Sequence, residues 1–251
     1  MMKRNLILDF SGVYAKIPKN AQDITYIDCT DIPGTDMYCT KEAEQEIKRR
    51  IGDAGPSGIH FLDSGNYHYV TKFFVDQIKK PFSLVLFDYH NDMQQAMVHD
   101  LTSCGSWARE ILKSNPFLQQ LIIIGPDEKN LDAIDEKLKS KVVCVSIQEL
   151  EREKAEEKLS QIDDRVPFYI SIDKDVLSKS YAVTNWNQGN MSIDMLEDIL
   201  TLFLVAGEVI GVDICGEYSA AGGKMPEYID AEKINPKTDQ ELYEYIHSFL
   251  E

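Results

Sequence analysis

Short apolar runs recur along the chain at 4–9 (NLILDF), 24–28 (ITYID), 59–62, 82–88, 121–125 (LIIIG), 142–146 (VVCVS), 167–173 and 209–214 (VIGVDI). Their length, their β-branched content and the turn formers around them predict eight strands. Segments of helical character lie between them near 39–51, 67–79, 105–114, 128–139, 147–160 and 191–206, with a terminal helix near 237–250. Ser192 follows a Gly-Asn turn and is expected to cap its helix. The stretches 11–22, 29–37 and 219–236 read as loops. Strands that alternate with helices predict an α/β protein whose largely parallel sheet is covered on both faces. No Pro/Gly-rich linker, internal repeat or low-complexity segment divides the sequence, so one domain over 1–251 is expected.

Composition narrows the function classes. The chain has 251 residues, 43% hydrophobic and 27% charged, which suits a folded core and argues against disorder. Its net charge of -16 and the lack of a basic stripe argue against a nucleic-acid partner. The run after Lys3-Arg4 stops at Asp9, too short for a signal segment, and no stretch approaches the roughly 18 apolar residues of a membrane span. Cys29, Cys39, Cys104, Cys144 and Cys215 are odd in number and include no Cys-x-x-Cys pair, so reduced thiols in a cytoplasm are the simple expectation.

The chemistry concentrates where strands end. Asp88, His90 and Asp92 follow the run Leu84-Val85-Leu86-Phe87, and alternation in an extended segment would put all three on one face. Asp173 and Asp175 end another apolar strand, with Lys174 expected to point the other way, and His68 follows a strand and a Gly65 turn. Closely packed acids repel and resist desolvation unless a cation lies between them. Six oxygen and imidazole ligands without cysteine suit Mn2+ better than structural zinc. They are too many for one catalytic ion and about right for two ions sharing bridging carboxylates, with the four aspartates balancing two divalent charges. In open parallel sheets ligands gather beyond the carboxyl ends of strands, where all three segments fall.

These segments, SGNYHY, FDYHND and SIDKD, resemble in order, spacing and strand context the arginase/agmatinase (ureohydrolase) superfamily. The resemblance implies a three-layer α/β/α sandwich around an eight-stranded parallel sheet. It implies that His68 and Asp92 hold one manganese, that His90 and Asp175 hold the other, and that Asp88 and Asp173 bridge, with another divalent metal also admissible. Water activated by the two ions would attack a trigonal carbon such as a guanidinium or amidine centre, Asp92 being counted with the catalytic groups. The deacetylase branch, which uses one metal and a tandem His-His motif, fits less well because no His-His pair occurs.

Departures from the family pattern bear on the substrate. The family's proton-shuttling His is replaced by Cys104 in TSCGSW, with His99 nearby as a substitute candidate. A neutral thiol is a poorer shuttle than imidazole near pH 7. The family's Pro/Gly-rich segment gives way to a polar loop in which Asn185, Trp186 and Asn187 are candidates for substrate contact. The guanidinium-binding Glu position is Gly216, with Glu217 one residue later as the substitute candidate. The leading expectation is a cytoplasmic binuclear manganese hydrolase of linear C–N bonds in a small, cationic substrate. A metal-binding but non-hydrolytic ligand-binding or regulatory protein and a deacetylase-like amide hydrolase are the alternatives; a homo-oligomer stays open.

Overall fold

A computed structural model of the chain describes residues 4–15, 24–96, 98, 101–129, 134–135, 137–220 and 226–250. Its centre is an eight-stranded sheet made of β1 (Asn5–Asp9), β2 (Ile24–Asp28), β4 (Ile59–Phe61), β5 (Phe82–Phe87), β7 (Leu118–Ile124), β8 (Val142–Val145), β9 (Phe168–Asp173) and β10 (Val209–Cys215). The order across the sheet is β2-β1-β4-β10-β9-β5-β7-β8, every pairing parallel. All eight strands are those expected from the apolar runs. The inner strands β5 (FSLVLF) and β9 (FYISID) are buried at every position, while edge strand β2 is mostly half-exposed.

Period-two alternation divides the inner side chains between two cores. On one face Leu84, Leu86, Leu121 and Ile123 pack with residues of α1 (Lys41–Ile51), α2 (Val70–Val75) and α3 (Trp107–Ser114). On the other Val85, Phe87, Ile122, Ile170 and Ile172 meet α6 (Ile193–Ala206) and α7 (Pro226–Leu250). The result is the expected three-layer α/β/α stack. Ser192 caps α6 as expected, its hydroxyl accepting the Met195 N–H at 3.1 Å.

Four expectations change. First, the loop drawn over 219–236 is helix from Pro226 onward, α7 running on to Leu250 through Pro236; residues 221–225 lie outside the described residues. An internal proline costs a helix about 3 kcal/mol. Here Asn235 exchanges hydrogen bonds with Val183 N and O at 2.8 and 2.9 Å, the Thr238 hydroxyl donates to the Tyr181 carbonyl, and Leu242 and Ile246 are fully buried. At about 1 kcal/mol per bond and about 2 per buried side chain, these contacts outweigh the proline. Second, the helix drawn over 147–160 is two, α4 (Ile147–Glu151) and α5 (Glu156–Leu159). Glu153 sits at φ 54 and lets the Lys154 N–H return to the Glu149 carbonyl at 2.9 Å, which closes the first.

Third, Cys39 belongs to a two-residue strand, β3 (Tyr38–Cys39), that pairs antiparallel with β6 (Thr102–Ser103); Thr40 then caps α1. Fourth, the 67–79 segment is a 3-10 turn at Gly65–Tyr67 followed by the short α2. The helix expected over 128–139 falls partly outside the described residues, and its end forms a 3-10 turn at Lys139–Lys141.

Gly211 admits the closest backbone approach in the sheet: a Cβ there would lie 1.9 Å from the Pro56 carbonyl oxygen. Gly211 is held in β10 and Pro56 lies in the segment that leads into β4, so one of the two backbones would have to shift. Gly211→Ala is therefore expected to cost roughly 3 kcal/mol, read as a lower urea midpoint; an unchanged midpoint would count against this packing.

Candidate metal centre

The carboxyl ends of β5 and β9 meet the turn that leads from β4 into α2 and bring together all six residues expected as ligands. His68 Nδ1 lies 3.4 Å from Asp88 Oδ2, 3.2 Å from Asp92 Oδ2 and 3.5 Å from Asp173 Oδ2. His90 Nδ1 lies 2.9 Å from Asp175 Oδ2 and 3.5 Å from Asp88 Oδ1. Ligand atoms of His68, Asp88 and Asp92 form one cluster within 4.8 Å, and those of Asp88, His90 and Asp175 form another, so Asp88 is common to both. A third cluster joins His68 and Asp173 to Cys215.

The route to this convergence differs from the alternation expected. Strand β5 ends at Phe87, and Asp88, His90 and Asp92 lie in the bends beyond it, Asp92 at φ 49. The turn sends Asp92 back toward His68 while His90 faces Asp175. Asp173 closes β9, but Asp175 sits in the following 3-10 turn, its N–H donating to Asp173 Oδ1 at 2.9 Å. Turns, rather than pleat, aim these side chains.

Neighbours fix the donors. His68 Nε2 pairs with the Ser171 hydroxyl at 2.9 Å, itself 3.1 Å from Thr71 Oγ1. In a neutral ring with Nε2–H donating, the Nδ1 lone pair faces the carboxylates, the arrangement of a metal ligand held by an outer partner. The Trp107 Nε1–H donates to Asp92 Oδ2 at 2.5 Å. Tyr89 and His90 backbone N–H groups donate to Asp175 Oδ1 and Asp88 Oδ1 at 3.1 and 2.6 Å.

The electrostatics call for a cation. Asp88, Asp92, Asp173 and Asp175 are buried. Each buried apolar side chain of β5 stabilises by roughly 1.5–3 kcal/mol, whereas desolvating a single carboxylate costs several. Burial and the Asp88 charge push Asp175 up to about 7, and burial raises Asp88 and Asp173 as well. Burial opposes the protonated form of His90, yet its contacts with Asp175 and Asp88 prevail and push it up to about 12. The donor set thus fits divalent ions: four acids converge on two imidazoles, which without a metal take up protons to offset the negative charge.

The substrate-side candidates fare differently. Cys104 lines the cavity of about 120 Å³ in front of the clusters, and burial pushes its thiol up to about 12, far from the lowered value a shuttle needs. His99 lies outside the described residues. Trp186 also lines the cavity, its ring 5.9 Å from that of His90 and its Nε1–H donating to Asn66 Oδ1 at 2.9 Å. Asn185 instead staples the loop, exchanging hydrogen bonds with Ser219 N and O at 2.7 and 3.0 Å, and Asn187 is exposed and does not line the cavity.

Glu217 is turned away from the cavity. Its carboxylate pairs with the fully buried Lys174 ammonium and accepts from Asn235 Nδ2 at 3.1 Å, and Lys174 reaches Asp239 of α7 at 2.5 Å. Lys174 does point opposite to Asp173 and Asp175, as expected. Residues that the sequence reading passed over include Ser171, Trp107 and Cys215, which look like ordinary core, and the cavity-lining Tyr38 and Gln94. Ser171 alone carried a signal, two residues before Asp173 on the same strand face.

The parallel sheet, the three layers and the acid–imidazole pocket at the strand ends define an arginase-like α/β protein. Residues 8–220 match the sequence model of the Arginase family, and the chain belongs to that family. An uncharacterized protein of Thermotoga maritima is 32% identical over 215 residues, which span 84% of this chain and 78% of the relative. The agmatine ureohydrolase of Thermoplasma volcanium superposes with TM-score 0.63 at 14% identity, covering 98% of this chain and 92% of its own. A Trypanosoma cruzi formiminoglutamase with Mn2+ gives 0.64 at 10% identity, covering 99% and 94%. At these identities the two structures show a shared fold. Among the described residues no helix is long and apolar enough to cross a membrane.

The shifts have a common sign. Without metal the folded site binds more protons than the unfolded chain: the Asp175 share of that stabilisation is complete below the ordinary carboxylate range and lost as pH rises through about 7, and the His90 share is complete below its ordinary value and lost only toward about pH 12. In chelator, Tm should therefore fall between about pH 5 and about pH 8, and saturating Mn2+ should remove that fall. A level or rising Tm in chelator would contradict it.

Proposed function

We propose that the chain, acting as one unit over 1–251, is a binuclear manganese-type hydrolase of linear C–N bonds in a small amidine or guanidine. The observation that carries this reading is Asp88, shared by two buried ligand clusters at the strand ends. His68 and Asp92, with Asp173, would hold one ion, and His90 and Asp175 the other, with Asp88 common to both. When bound, such a pair supplies Lewis acidity and an acidified water.

The chain's own groups orient and enclose. Ser171 fixes the His68 ring, Trp107 fixes one oxygen of Asp92, and the Tyr89 N–H fixes Asp175. Trp186 walls the cavity beside His90 and keeps water from that side. Cys104 keeps its proton on Sγ near neutral pH and serves as a neutral wall. Lys174 occupies Glu217, so among the described residues the acids lining the cavity are the ligand set alone, and neutral groups such as Tyr38, Gln94 and Trp186 read the substrate head. The cavity of about 120 Å³ suits a head the size of an amidinium or guanidinium.

The same two departures, a protonated Cys104 and an occupied Glu217, favour a second reading in which the centre binds metal and ligand without hydrolysis. The test is Mn2+-loaded protein offered a panel of guanidines and amidines. Release of urea or ammonia is expected, with a loss of at least about 10³-fold in His90→Ala and fewer bound metals in Asp88→Ala by elemental analysis. Two bound metals without product would establish the second reading; release of a carboxylate from amides would reassign the chemistry to amide hydrolysis; protein that takes up no metal would end both. Separately, Ser171→Ala frees the His68 ring and should weaken metal binding about 10-fold or more by competition titration. Unchanged affinity would remove Ser171 from the site.

A further inference from the structure

Cys215 is the last residue of β10, fully buried, and paired in register with Asp173 on β9. In-register neighbours on parallel strands share a face, so its side chain rises beside Asp173 into the centre. Its Sγ lies 3.2 Å from Asp173 Oδ2, and Sγ, Asp173 and His68 Nδ1 form a cluster within 4.8 Å. The approach is built in. Gly216 follows at φ +97, and a Cβ there would lie 2.6 Å from Asp173 Oδ1 and 2.8 Å from Lys174 N, so only glycine lets β10 close this tightly on the ligand segment.

We propose that the Cys215 sulfur is a ligand of the ion held by His68 and Asp173, which makes that half of the centre a mixed oxygen, nitrogen and sulfur site. The inference rests on the reading that these clusters hold divalent metal. On uptake the Cys215 S–H bond breaks, a sulfur–metal bond forms and the proton passes to water. A thiolate is a soft donor, so this half prefers Zn2+, Co2+ or Fe2+ over Mn2+, whereas the His90–Asp175 half keeps a hard, oxygen-rich set. The two halves of one centre would thereby differ in metal preference.

The test is spectroscopic and independent of turnover. Wild-type protein loaded with Co2+ should show a thiolate-to-cobalt charge-transfer band in the near ultraviolet. That band should vanish in Cys215→Ser, which still binds Co2+, and persist in Cys104→Ser. Zn2+ affinity should fall in Cys215→Ser by about tenfold or more, with Mn2+ affinity changed less. X-ray absorption of the wild-type Zn2+ form, which needs no variant to fold, should show a Zn–S distance of about 2.3 Å. Bound Co2+ without the band, a band lost only in Cys104→Ser, or a zinc shell of oxygen and nitrogen alone would overturn the proposal and leave the two-metal reading standing. Failure to bind any of these ions would overturn both.

Discussion

Four carboxylates buried at the carboxyl ends of two neighbouring strands, β5 and β9, are the constraint on which the rest of this structure depends. Two imidazoles cannot by themselves satisfy that much negative charge in so little space, and the surrounding architecture works to hold it there. The strand order sets β10, β9 and β5 side by side, so segments far apart in sequence end at one place. Ser171, Trp107 and two backbone N–H groups each take one polar atom of a ring or acid and fix its direction. The aliphatic strands beneath supply the stability against which the acids are held, since the cost of desolvating a carboxylate exceeds what any one apolar neighbour returns.

The fold was legible because its signal is repeated. Eight apolar runs with helical segments between them leave few arrangements, and every run became a strand. Errors fell where tertiary contacts overrule a local rule. Pro226 and Pro236 made 219–236 look like a loop, and the anchors of Asn235 to Val183 and Thr238 to Tyr181, contacts across more than fifty positions, help keep the helix running through Pro236 together with the burial of Leu242 and Ile246. The break at Glu153 has the opposite cause, a local left-handed residue that no apolar spacing reveals.

The candidate site was legible for acids and imidazoles at strand ends and poorly legible beyond them. The six side chains converge as expected but by another route, because turns beyond β5 and β9 do what alternation was expected to do. The direction of Glu217 could not be read from the sequence, since its orientation depends on Lys174, which lies forty-three positions away. Cys215 and Trp107 read as core because they are core by burial; what sets them apart is a single polar atom touching Asp173 or Asp92.

The triad of Lys174, Glu217 and Asp239 has a consequence for the paths mutation can take. Removing one member of a buried ion cluster leaves an uncompensated charge and costs about 3–5 kcal/mol, whereas replacing the whole cluster with apolar residues of similar volume is often neutral. Lys174 stands between two acids of the centre, Glu217 follows β10, and Asp239 sits on α7, so the neutral alternative needs three changes in three distant segments. Losing Lys174 first leaves two buried acids without their cation, a step deep enough to unfold a marginally stable chain. A chain that holds this triad thus has no single-step route by which Glu217 is released to turn toward the cavity.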